Sequence, residues 1–394
     1  MKPVQRRGQW QTAADVLSRV ARQPGITRAA VAKELRLSTS TTTEITARLR
    51  DLQLLTETPA PSQGRGRPTT VLRPHPQGPV VLALELRQAG WQSAVVSLDG
   101  VLTDRRSKGH RRRPAAVLAA LRTVVEDARA QYGERLLAVS LAAAGTVRAG
   151  HLMQATTLGW GTVDLSPVVE GTRLPLLVGN DATLSGVAEA RTGAAAGAGT
   201  ALHLIVEVGV GGTLILDGSP ASGATGAGGE YGHIPFGDRS LSCPCGARGC
   251  WDLEVDGRAL ARHLGAPEPD DPYTYAEAVL QRLTEPAVKR AVDTVVAALA
   301  GGIAGLVNAH DPQVVTLGGL AIPLRAAAPT TFTTAYAEGL MTFHRANPPP
   351  VLDSTHQETG PLRGAAALGF DHVTTPATLA AWADRTAQSL SPAT

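Results

Sequence analysis

The 394-residue sequence is poor in aromatic residues, in cysteine and in long apolar runs. Phe, Trp and Tyr make up 4% of it, so we expect cores built mainly from Ala, Val and Leu. The cysteines number three, and an odd count argues against a framework of intramolecular disulfides. No run of about 18 apolar residues is free of breakers, and the first ten residues form no apolar segment. We therefore expect a cytoplasmic protein with neither a membrane span nor a signal peptide.

What the sequence does contain is an uneven distribution of charge. Residues 1–76 carry 13 Lys and Arg against 5 Asp and Glu, whereas the remaining residues carry 24 against 29. A basic segment joined to an acidic remainder indicates that the basic segment binds a polyanion. The alternative is an ordinary solvated basic surface. The length suits two or three domains.

The first half of the basic segment has the pattern of a helix-turn-helix. Apolar residues at helical spacing predict a first helix that ends at Pro24-Gly25, and Thr27 and Ser38 are placed to cap a second and a third helix. We expect the third helix to expose small hydroxyl side chains to base edges and phosphates, although a plain polar surface helix is the alternative. The expected DNA contacts in these helices are Arg28, Ser38, Thr39, Ser40, Thr42, Thr43 and Thr46.

The second half of the segment predicts a β-hairpin wing. Two strand-like stretches flank GRGRP, where glycines let the backbone enter a minor groove while Arg65 and Arg67 reach its negative floor. Alone, such a stretch is often a basic linker, but after a helix-turn-helix it favours a wing. Residues 1–76 are therefore predicted to be a winged helix-turn-helix that binds a double-stranded DNA operator.

Beyond residue 76, strands alternate with helices, which predicts a layered α/β body of two lobes with a cleft. Strands are expected within 79–100 and at 136–142, 175–180, 201–217 and 313–317, and helices at 114–131, 182–191 and 287–309. The predicted segments of the body are a first lobe at 77–190, a second lobe at 191–371, and a tail or short helix at 372–394.

All of the cysteines lie in one short window near a histidine. One imidazole and three thiolates fill a tetrahedral zinc shell and leave no position for a reactive water. Gly246 and Gly249 allow the tight turns that bring such ligands together. The sequence therefore predicts a structural zinc site, against the alternatives of a redox C-x-C pair or three unrelated buried cysteines. The expected ligands are His233, Cys243, Cys245 and Cys250.

With these motifs in view, the sequence resembles the ROK family, which groups sugar repressors, including xylose-repressor-like proteins, with sugar kinases. GAGGEYGHIPF followed by C-x-C-G-x-x-G-C is the most specific match, and VGNDATLSGVAEARTG, VVTLGGL and LRGAAALG resemble further family blocks. The resemblance implies an actin-like, ribonuclease-H-like two-lobed sugar-kinase fold behind the winged helix-turn-helix. It also implies a homodimer or a dimer of dimers.

The resemblance further implies a monosaccharide site. Asn180 and Asp181 match the family's sugar-contact pair, and Asp181 stands where the kinases keep their catalytic base. Glu230 and His233 match a Glu-x-x-His pair that serves sugar and metal. Asp252 occupies a position beside the sugar where Glu is usual. A helix N-cap is the structural alternative for Asp181, and it is compatible with sugar binding.

The phosphate-binding loops of the kinases are not matched. ELRQA at 85–89 replaces Asp-x-Gly-Gly-Thr, and Glu207-Val208-Gly209 replaces Gly-Thr-Gly, which puts a carboxylate where phosphate would bind. Thr157 replaces a usual Asn near the sugar. We expect a protein that is not an enzyme but a sugar-responsive repressor of carbohydrate-catabolism genes, released from DNA by sugar. The alternatives are an active sugar kinase and a regulator controlled by a protein partner.

Overall fold

The computed structural model describes residues 3–60, 70–110, 113–148, 151–155 and 158–390. Helices and strands alternate after residue 76, as predicted. The helices are α1 (Pro3–Arg22), α2 (Arg28–Glu34), α3 (Thr39–Asp51), α4 (Pro114–Tyr132), α5 (Asp181–Thr192), α6 (Gly257–His263), α7 (Pro272–Leu280), α8 (Pro286–His310), α9 (Ala321–Ala327), α10 (Pro329–Gly339), α11 (Thr342–Ala346), α12 (Gly360–Val373) and α13 (Pro376–Leu390). The strands are β1 (Ile26–Thr27), β2 (Leu55–Pro59), β3 (Thr70–Pro74), β4 (Val80–Leu86), β5 (Gly90–Ser97), β6 (Leu102–Gly109), β7 (Leu136–Ala143), β8 (Thr146–Arg148), β9 (His151–Gln154), β10 (Val163–Asp164), β11 (Leu176–Asn180), β12 (Thr200–Glu207), β13 (Gly209–Leu216), β14 (Ser219–Pro220), β15 (Val314–Gly319) and β16 (Val351–Asp353).

The chain forms two compact units, and each unit draws on separated stretches of sequence. The first unit contains Met1–Leu141, Leu165–Val178 and Ala365–Thr394, and the second contains Ala142–Asp164 and Gly179–Gly364. The predicted segments were continuous in sequence. The return of the C-terminal stretch to the first unit is therefore a feature that only the structure supplies.

The N-terminal part of the first unit is the predicted winged helix-turn-helix. The Thr27 hydroxyl accepts a hydrogen bond from a backbone N–H of α2 at 3.1 Å, and the Ser38 hydroxyl accepts one from α3 at 3.0 Å. Both predicted N-caps are thus confirmed. A small sheet with strand order β1-β3-β2 completes the motif, and β2 and β3 pair antiparallel as the stems of the wing.

The core of this motif includes the last helix of the chain. Leu17 of α1 and Leu49 of α3 are fully buried in one apolar cluster with Leu379 and Trp382 of α13. The indole Nε1 of Trp382 donates to the carbonyl of Leu52, at the C-terminal end of α3, at 2.9 Å. Of the tail or short helix expected at 372–394, the structure forms helix α13, and this helix closes the core of the winged helix-turn-helix.

Behind this motif lies a five-stranded sheet with strand order β11-β7-β4-β5-β6. Strands β4, β5 and β6 form an antiparallel meander, which includes the predicted hairpin within 79–100. Every residue of β4 is buried, which is typical of a strand covered on both faces. Helix α4 contributes an apolar stripe that includes Val117, Leu121 and Val125.

The second unit is built around a sheet with strand order β14-β13-β12-β15-β16. Strand β15 pairs parallel with β12 and β16, whereas β13 pairs antiparallel with β12. Helix α8 packs in the core of this unit through a long row of Val, Leu and Ala side chains. In the described part of the chain, α8 is the helix whose length and apolar composition would allow it to cross a membrane. However, 61% of its most apolar 18-residue stretch is buried inside the protein, which is typical of a core helix.

We predict that Trp382 stabilises the first unit through both its volume and its indole N–H. Trp382→Ala is expected to lower the free energy of unfolding by about 3–5 kcal/mol, because a large buried ring leaves a cavity. Trp382→Phe is expected to cost about 1 kcal/mol, because the Leu52 carbonyl loses its donor. Trp91→Phe, at another buried Trp of the first unit, is the matched control. Urea unfolding is the measurement, and equal losses for Trp382→Phe and Trp91→Phe would contradict the role of the hydrogen bond.

Candidate functional site

Helix α3 presents only part of the predicted hydroxyl surface. Thr42 and Thr46 are 0% and 1% exposed, so the prediction that they face DNA is wrong. Their hydroxyls donate to carbonyls of the preceding turn at 2.9 and 3.1 Å. At 3.6 residues per turn they fall on the same face as the core residue Leu49. The predicted positions of α3 and its cap that are exposed are Ser38, Thr39, Ser40 and Thr43.

The arginines predicted to contact DNA are only partly described by the structure. Arg28, at the start of α2, forms an ion pair with Glu57 of β2, so part of its guanidinium is already engaged inside the motif. Arg65 and Arg67 lie at 61–69, outside the described residues. Arg48 and Arg50 of α3, which the sequence prediction did not include, are exposed near the end of the helix.

The Asn-Asp pair of the second unit stands at the start of α5. Asn180 is the N-cap: its Oδ1 accepts from the backbone N–H of Thr183 at 2.9 Å, and its Nδ2 donates to the carbonyl of Gly145 at 3.1 Å. The capping role considered for Asp181 therefore belongs to its neighbour. Asp181 is the first residue of the helix and half-buried, and its Oδ1 accepts from the next backbone N–H at 2.8 Å. A carboxylate at this end is favoured by the helix dipole.

The segment Gly145-Thr146 brings Asn180 and Glu230 together. Thr146 Oγ1 donates to Glu230 Oε1 at 2.8 Å, one residue beyond the carbonyl that Asn180 Nδ2 contacts. A Cβ on Gly145 would lie 2.4 Å from the carbonyl oxygen of Gln154, so only glycine fits there. The sequence analysis did not identify Thr146 as a site residue. The pattern that could have identified it is a Gly-Thr pair shortly after a buried strand.

The predicted metal ligands converge. One donor atom from each of His233, Cys243, Cys245 and Cys250 lies within 4.8 Å of all the others. Two of the separations, Cys245 Sγ to Cys250 Sγ at 3.7 Å and Cys243 Sγ to His233 Nδ1 at 3.8 Å, match the edge of a tetrahedron around zinc, about 3.8 Å for a Zn–S bond of about 2.3 Å. The cluster can therefore hold a metal ion.

The local backbone explains how such a short window converges. Gly246 and Gly249 have φ values of +96° and +72°, in the region that favours glycine, and they allow two reversals within the Cys window. The backbone N–H of Cys243 donates to Ala247 O at 2.9 Å, which closes the first reversal. The predicted need for glycine at both positions is confirmed.

Electrostatics also favour a cation at this cluster. Burial raises the pKa of the Cys250 thiol to about 12 and also raises the pKa of Cys243. The two buried thiols, Cys243 and Cys250, can therefore both be thiolates only when a positive charge lies between them. A bound divalent cation would supply that charge and release the thiol protons.

Asp252 links the cluster to the turn between β12 and β13. Its Oδ1 accepts from the backbone N–H of Val210 at 2.6 Å, and its Oδ2 lies 3.4 Å from His233 Nδ1. Gly209 and Gly232 leave room for the carboxylate, since a Cβ on either would approach it within 3.0 Å. Burial raises the pKa of this carboxyl. Asp252 thus holds the turn between β12 and β13 and lies beside the histidine.

The far end of α5 is anchored by a buried carboxylate. Glu189 is 0% exposed and accepts from the Ser354 hydroxyl at 2.6 Å and from the backbone N–H groups of Ala194, Thr355 and His356 at 2.8, 3.1 and 2.8 Å. Burial opposes ionisation, but these donors prevail and lower the pKa of Glu189. Helix α5, which presents Asp181 at its other end, is therefore held firmly.

The first unit contains a buried charged cluster at the end of β4, where the sequence analysis expected the remains of a phosphate loop. Glu85, at the end of β4, is 2% exposed. Arg87 Nε donates to Glu85 Oε1 at 2.6 Å, and Gln92 Nε2 donates to Glu85 Oε2. The carboxylate is thus satisfied by the protein's own side chains. Thr157 lies outside the described residues.

Comparison with known proteins places both parts of the chain. Residues 85–371 match the ROK family, and residues 10–66 match the MarR family of winged helix-turn-helix proteins. The chain is 33% identical to a glucokinase of Streptomyces coelicolor over 153 residues, 38% of this chain and 48% of the relative. It is 24% identical to the xylose repressor of Bacillus subtilis over 215 residues, 54% and 55% of the two chains. The chain thus spans about half the length of these curated relatives.

A solved structure supports the same fold over almost the whole chain. It is a ROK family transcriptional regulator described as a homologue of the E. coli MLC protein, with a TM-score of 0.77 and 21% identity. The match covers 96% of this chain and all of that one. The predicted architecture, a winged helix-turn-helix followed by an actin-like sugar-kinase fold, is confirmed.

We predict that Asn180 acts first as the cap of α5. Asn180→Ala is expected to lower the stability of the second unit by about 1–2 kcal/mol, because the Thr183 N–H loses its acceptor. Asn180→Ser keeps an acceptor for the Thr183 N–H without turning a carboxylate oxygen toward the Gly145 carbonyl, and it is expected to cost less than half as much. Thermal unfolding of the two variants is the measurement. Equal stability of the alanine variant and the wild type would show that the cap contributes nothing.

Proposed function

The chain belongs to the ROK family, and on this premise we propose that it is a sugar-responsive DNA-binding transcriptional regulator, a repressor that sugar releases. The observation that carries the proposal is the joint presence of a winged helix-turn-helix and of a polar site at the start of α5 beside the Cys/His cluster. The first provides a surface for an operator, and the second provides hydroxyl-binding groups for a monosaccharide.

The DNA surface is assigned to the exposed face of α3 and to the wing. Ser38, Thr39, Ser40 and Thr43 are small and exposed, so the helix can approach base edges closely. Thr42 and Thr46 support the helix from the core side. We assign Arg65 and Arg67 to the minor groove. An operator read by two such motifs is an imperfect palindrome, and the regulator is then a dimer.

The sugar site is assigned to Asn180, Asp181, Glu230, His233 and Asp252. Asp181 and Glu230 carry carboxylate oxygens that can accept from sugar hydroxyls. Asn180 and Asp252 also form hydrogen bonds with the backbone of Gly145, Thr183 and Val210. We therefore assign them the role of positioning the start of α5 and the turn between β12 and β13.

The metal of the cluster is assigned as one structural zinc ion. Bound zinc would cross-link His233 to the Cys window and would offer no open coordination position. Since Nδ1 of His233 faces Cys243, its Nε2 remains as the nitrogen that can meet a ligand. The metal would thereby fix the segment that carries Glu230.

An active kinase is the second candidate, since relatives of this chain are named as kinases. The buried Glu85 cluster argues against it, because a carboxylate already bonded by Arg87 and Gln92 fills the position of a phosphate loop. A carboxylate at Glu207 would likewise repel phosphate. We therefore assign sugar binding without phosphoryl transfer. Incubation of the protein with ATP and a panel of sugars, with ADP formation as the readout, tests this directly.

A third candidate is control by a protein partner. In that case, operator binding would be unaffected by any sugar.

We predict that operator affinity depends on the exposed face of α3. Thr43→Asp is expected to weaken operator binding by tenfold or more, about 1.4 kcal/mol, because the new carboxylate opposes the phosphates. Thr123→Asp, on an exposed turn of α4, changes the net charge equally and serves as the control. Fluorescence anisotropy at several salt concentrations is the measurement. If both variants weaken binding equally, the recognition surface is elsewhere.

We predict one zinc ion per chain. Cys245→Ser is expected to abolish stoichiometric zinc and to lower the melting temperature of the second unit, because metal binding contributes to folding. Ser242→Ala, beside the ligands, is expected to retain both. Elemental analysis of the purified protein is the measurement. A folded wild-type protein with far less than one zinc ion per chain would contradict the assignment.

We predict that a monosaccharide lowers operator affinity by about 5–150-fold, the usual range of allosteric coupling. Asp181→Ala and Glu230→Ala are expected to abolish the response and leave operator affinity without sugar unchanged. Glu277→Ala, at an exposed carboxylate of α7, is the control. Operator binding is measured across a sugar panel. A response that survives both substitutions would place the sensor elsewhere.

A further inference from the structure

We infer that the second unit carries a docking surface for a second copy of this chain, on the outward face of helix α8. The surface is marked by large apolar side chains that face solvent. Phe236, Met341 and Phe343 are 48%, 51% and 73% exposed, and they are three of the seven such side chains in the described part of the chain. All of them belong to the second unit, as does α8. Exposed apolar side chains that are grouped in one place mark interaction sites, whereas single ones are common.

These side chains are grouped beside one stretch of α8. The ring of Phe236 lies against Gly305, where an added Cβ would be 3.2 Å from it. One turn further along the helix, Asn308 Oδ1 accepts from the backbone N–H of Met341 at 3.0 Å. Phe343 follows Met341 after one residue, in α11. Phe236 and Met341 are therefore placed within one turn of α8, and Phe343 extends the patch along α11.

Beside this patch, the outward face of α8 consists of small residues. The exposed or half-buried members of the row are Thr294, Gly301, Gly305 and Ala309. An added Cβ on Gly301 would meet no atom of the described residues within 4 Å, so the helix is uncovered there. Trp251 packs against Gly302 on one flank of the row. Gly339 of α10 packs against Ala304 on the other flank. Neighbouring elements thus border the row, and its small side chains let another helix approach closely.

The charges at the two ends of this face make it complementary to itself. Arg290 is exposed on the same row, near the start of α8. Asp311, whose side chain is 78% exposed, directly follows the last residue of the helix. A two-fold axis across the middle of the row would set two α8 helices antiparallel, with Arg290 of each copy near Asp311 of the other. The opposed helix dipoles would add to this attraction. A face that matches itself in this way favours a second copy over an unrelated protein.

The exposed area is of the size that a homodimer needs. At about 200 Å² for a full side chain of this size, Phe236, Met341 and Phe343 expose about 350 Å² together. The row from Thr294 to Ala309 adds a strip about 22 Å long and about 10 Å wide, or roughly 200 Å². A standard interface buries about 800 Å² on each partner, so these two parts supply about two thirds of it.

The choice of a second copy also rests on the proposed function, since an operator that is an imperfect palindrome needs two DNA-binding motifs. A second copy joined through α8 would supply the second motif. Association of the chain with itself can be measured without DNA. The docking surface and the proposed function are therefore tested by separate measurements on the full chain.

Sedimentation equilibrium from submicromolar to high micromolar concentration tests the surface, and the wild-type chain is expected to be a dimer. Phe343→Ser and Gly301→Leu are each expected to raise the dissociation constant by about tenfold or more. The leucine of Gly301→Leu enters open space, so the single chain still folds while a second helix is kept away. Circular dichroism checks the fold. Leu216→Ser, at an exposed leucine of β13 outside the patch, is the matched control and is expected to change nothing.

A pair of charge variants tests the antiparallel arrangement. Arg290→Glu is expected to weaken the dimer by about threefold to tenfold, because the new carboxylate would face Asp311 of the second copy. Adding Asp311→Asn is expected to recover most of this loss, because it removes the repulsion. Asparagine also tolerates the left-handed backbone at this position, where φ is +47°. Asp311→Asn alone separates the two effects.

The outcomes distinguish the docking surface from the proposed function. A wild-type chain that stays monomeric at high micromolar concentration would overturn the inference and leave the face to a different protein. A dimer that neither Phe343→Ser nor Gly301→Leu weakens, or that Leu216→Ser weakens as much, would place the interface elsewhere. No recovery in the double charge variant would overturn the antiparallel arrangement. A stable dimer that binds no operator would overturn the proposed function and leave the docking surface in place.

Discussion

The hydrogen bond from Trp382 to the carbonyl of Leu52 joins the end of the chain to the end of the recognition helix, and the first unit is organised around this contact. The carbonyl belongs to the last turn of a helix, where backbone acceptors lack intrahelical partners. The ring also belongs to the apolar cluster that contains Leu17 of α1 and Leu49 of α3. The DNA-binding motif is therefore completed by α13, and a change that displaces this helix reaches α3 without passing through a flexible linker.

In the second unit, a few polar side chains hold the elements of the candidate site through hydrogen bonds. Asn180 caps α5 and also contacts Gly145, while Thr146 orients Glu230. Glu189 fixes the opposite end of the same helix. These hydrogen bonds hold the start of α5 and one oxygen of Glu230 in place before any ligand binds. Such pre-organisation favours binding of a small polar ligand, since less ordering entropy opposes it.

The proposed absence of kinase activity rests mainly on one buried carboxylate. A phosphate loop needs backbone N–H groups and glycine, whereas Glu85 is buried and bonded by Arg87 and Gln92. An anion could enter there only by displacing the carboxylate from its partners. This internal ion pair supports the proposal that the chain binds a sugar without transferring a phosphoryl group.

The sequence by itself determined what a few consecutive residues decide. The caps Thr27 and Ser38, the glycine turns of the Cys window and the clustering of His233 with the cysteines each arise within a stretch of 18 residues or fewer. The alternation of strands with helices follows from hydrophobic periodicity within each element. Tertiary structure decided the rest. It buried Thr42 and Thr46, gave the cap of α5 to Asn180, brought Thr146 to Glu230, and returned α13 to the N-terminal motif. These contacts join residues up to 330 positions apart, and hydrophobic periodicity shows that a helix has an apolar face without showing which partner covers it.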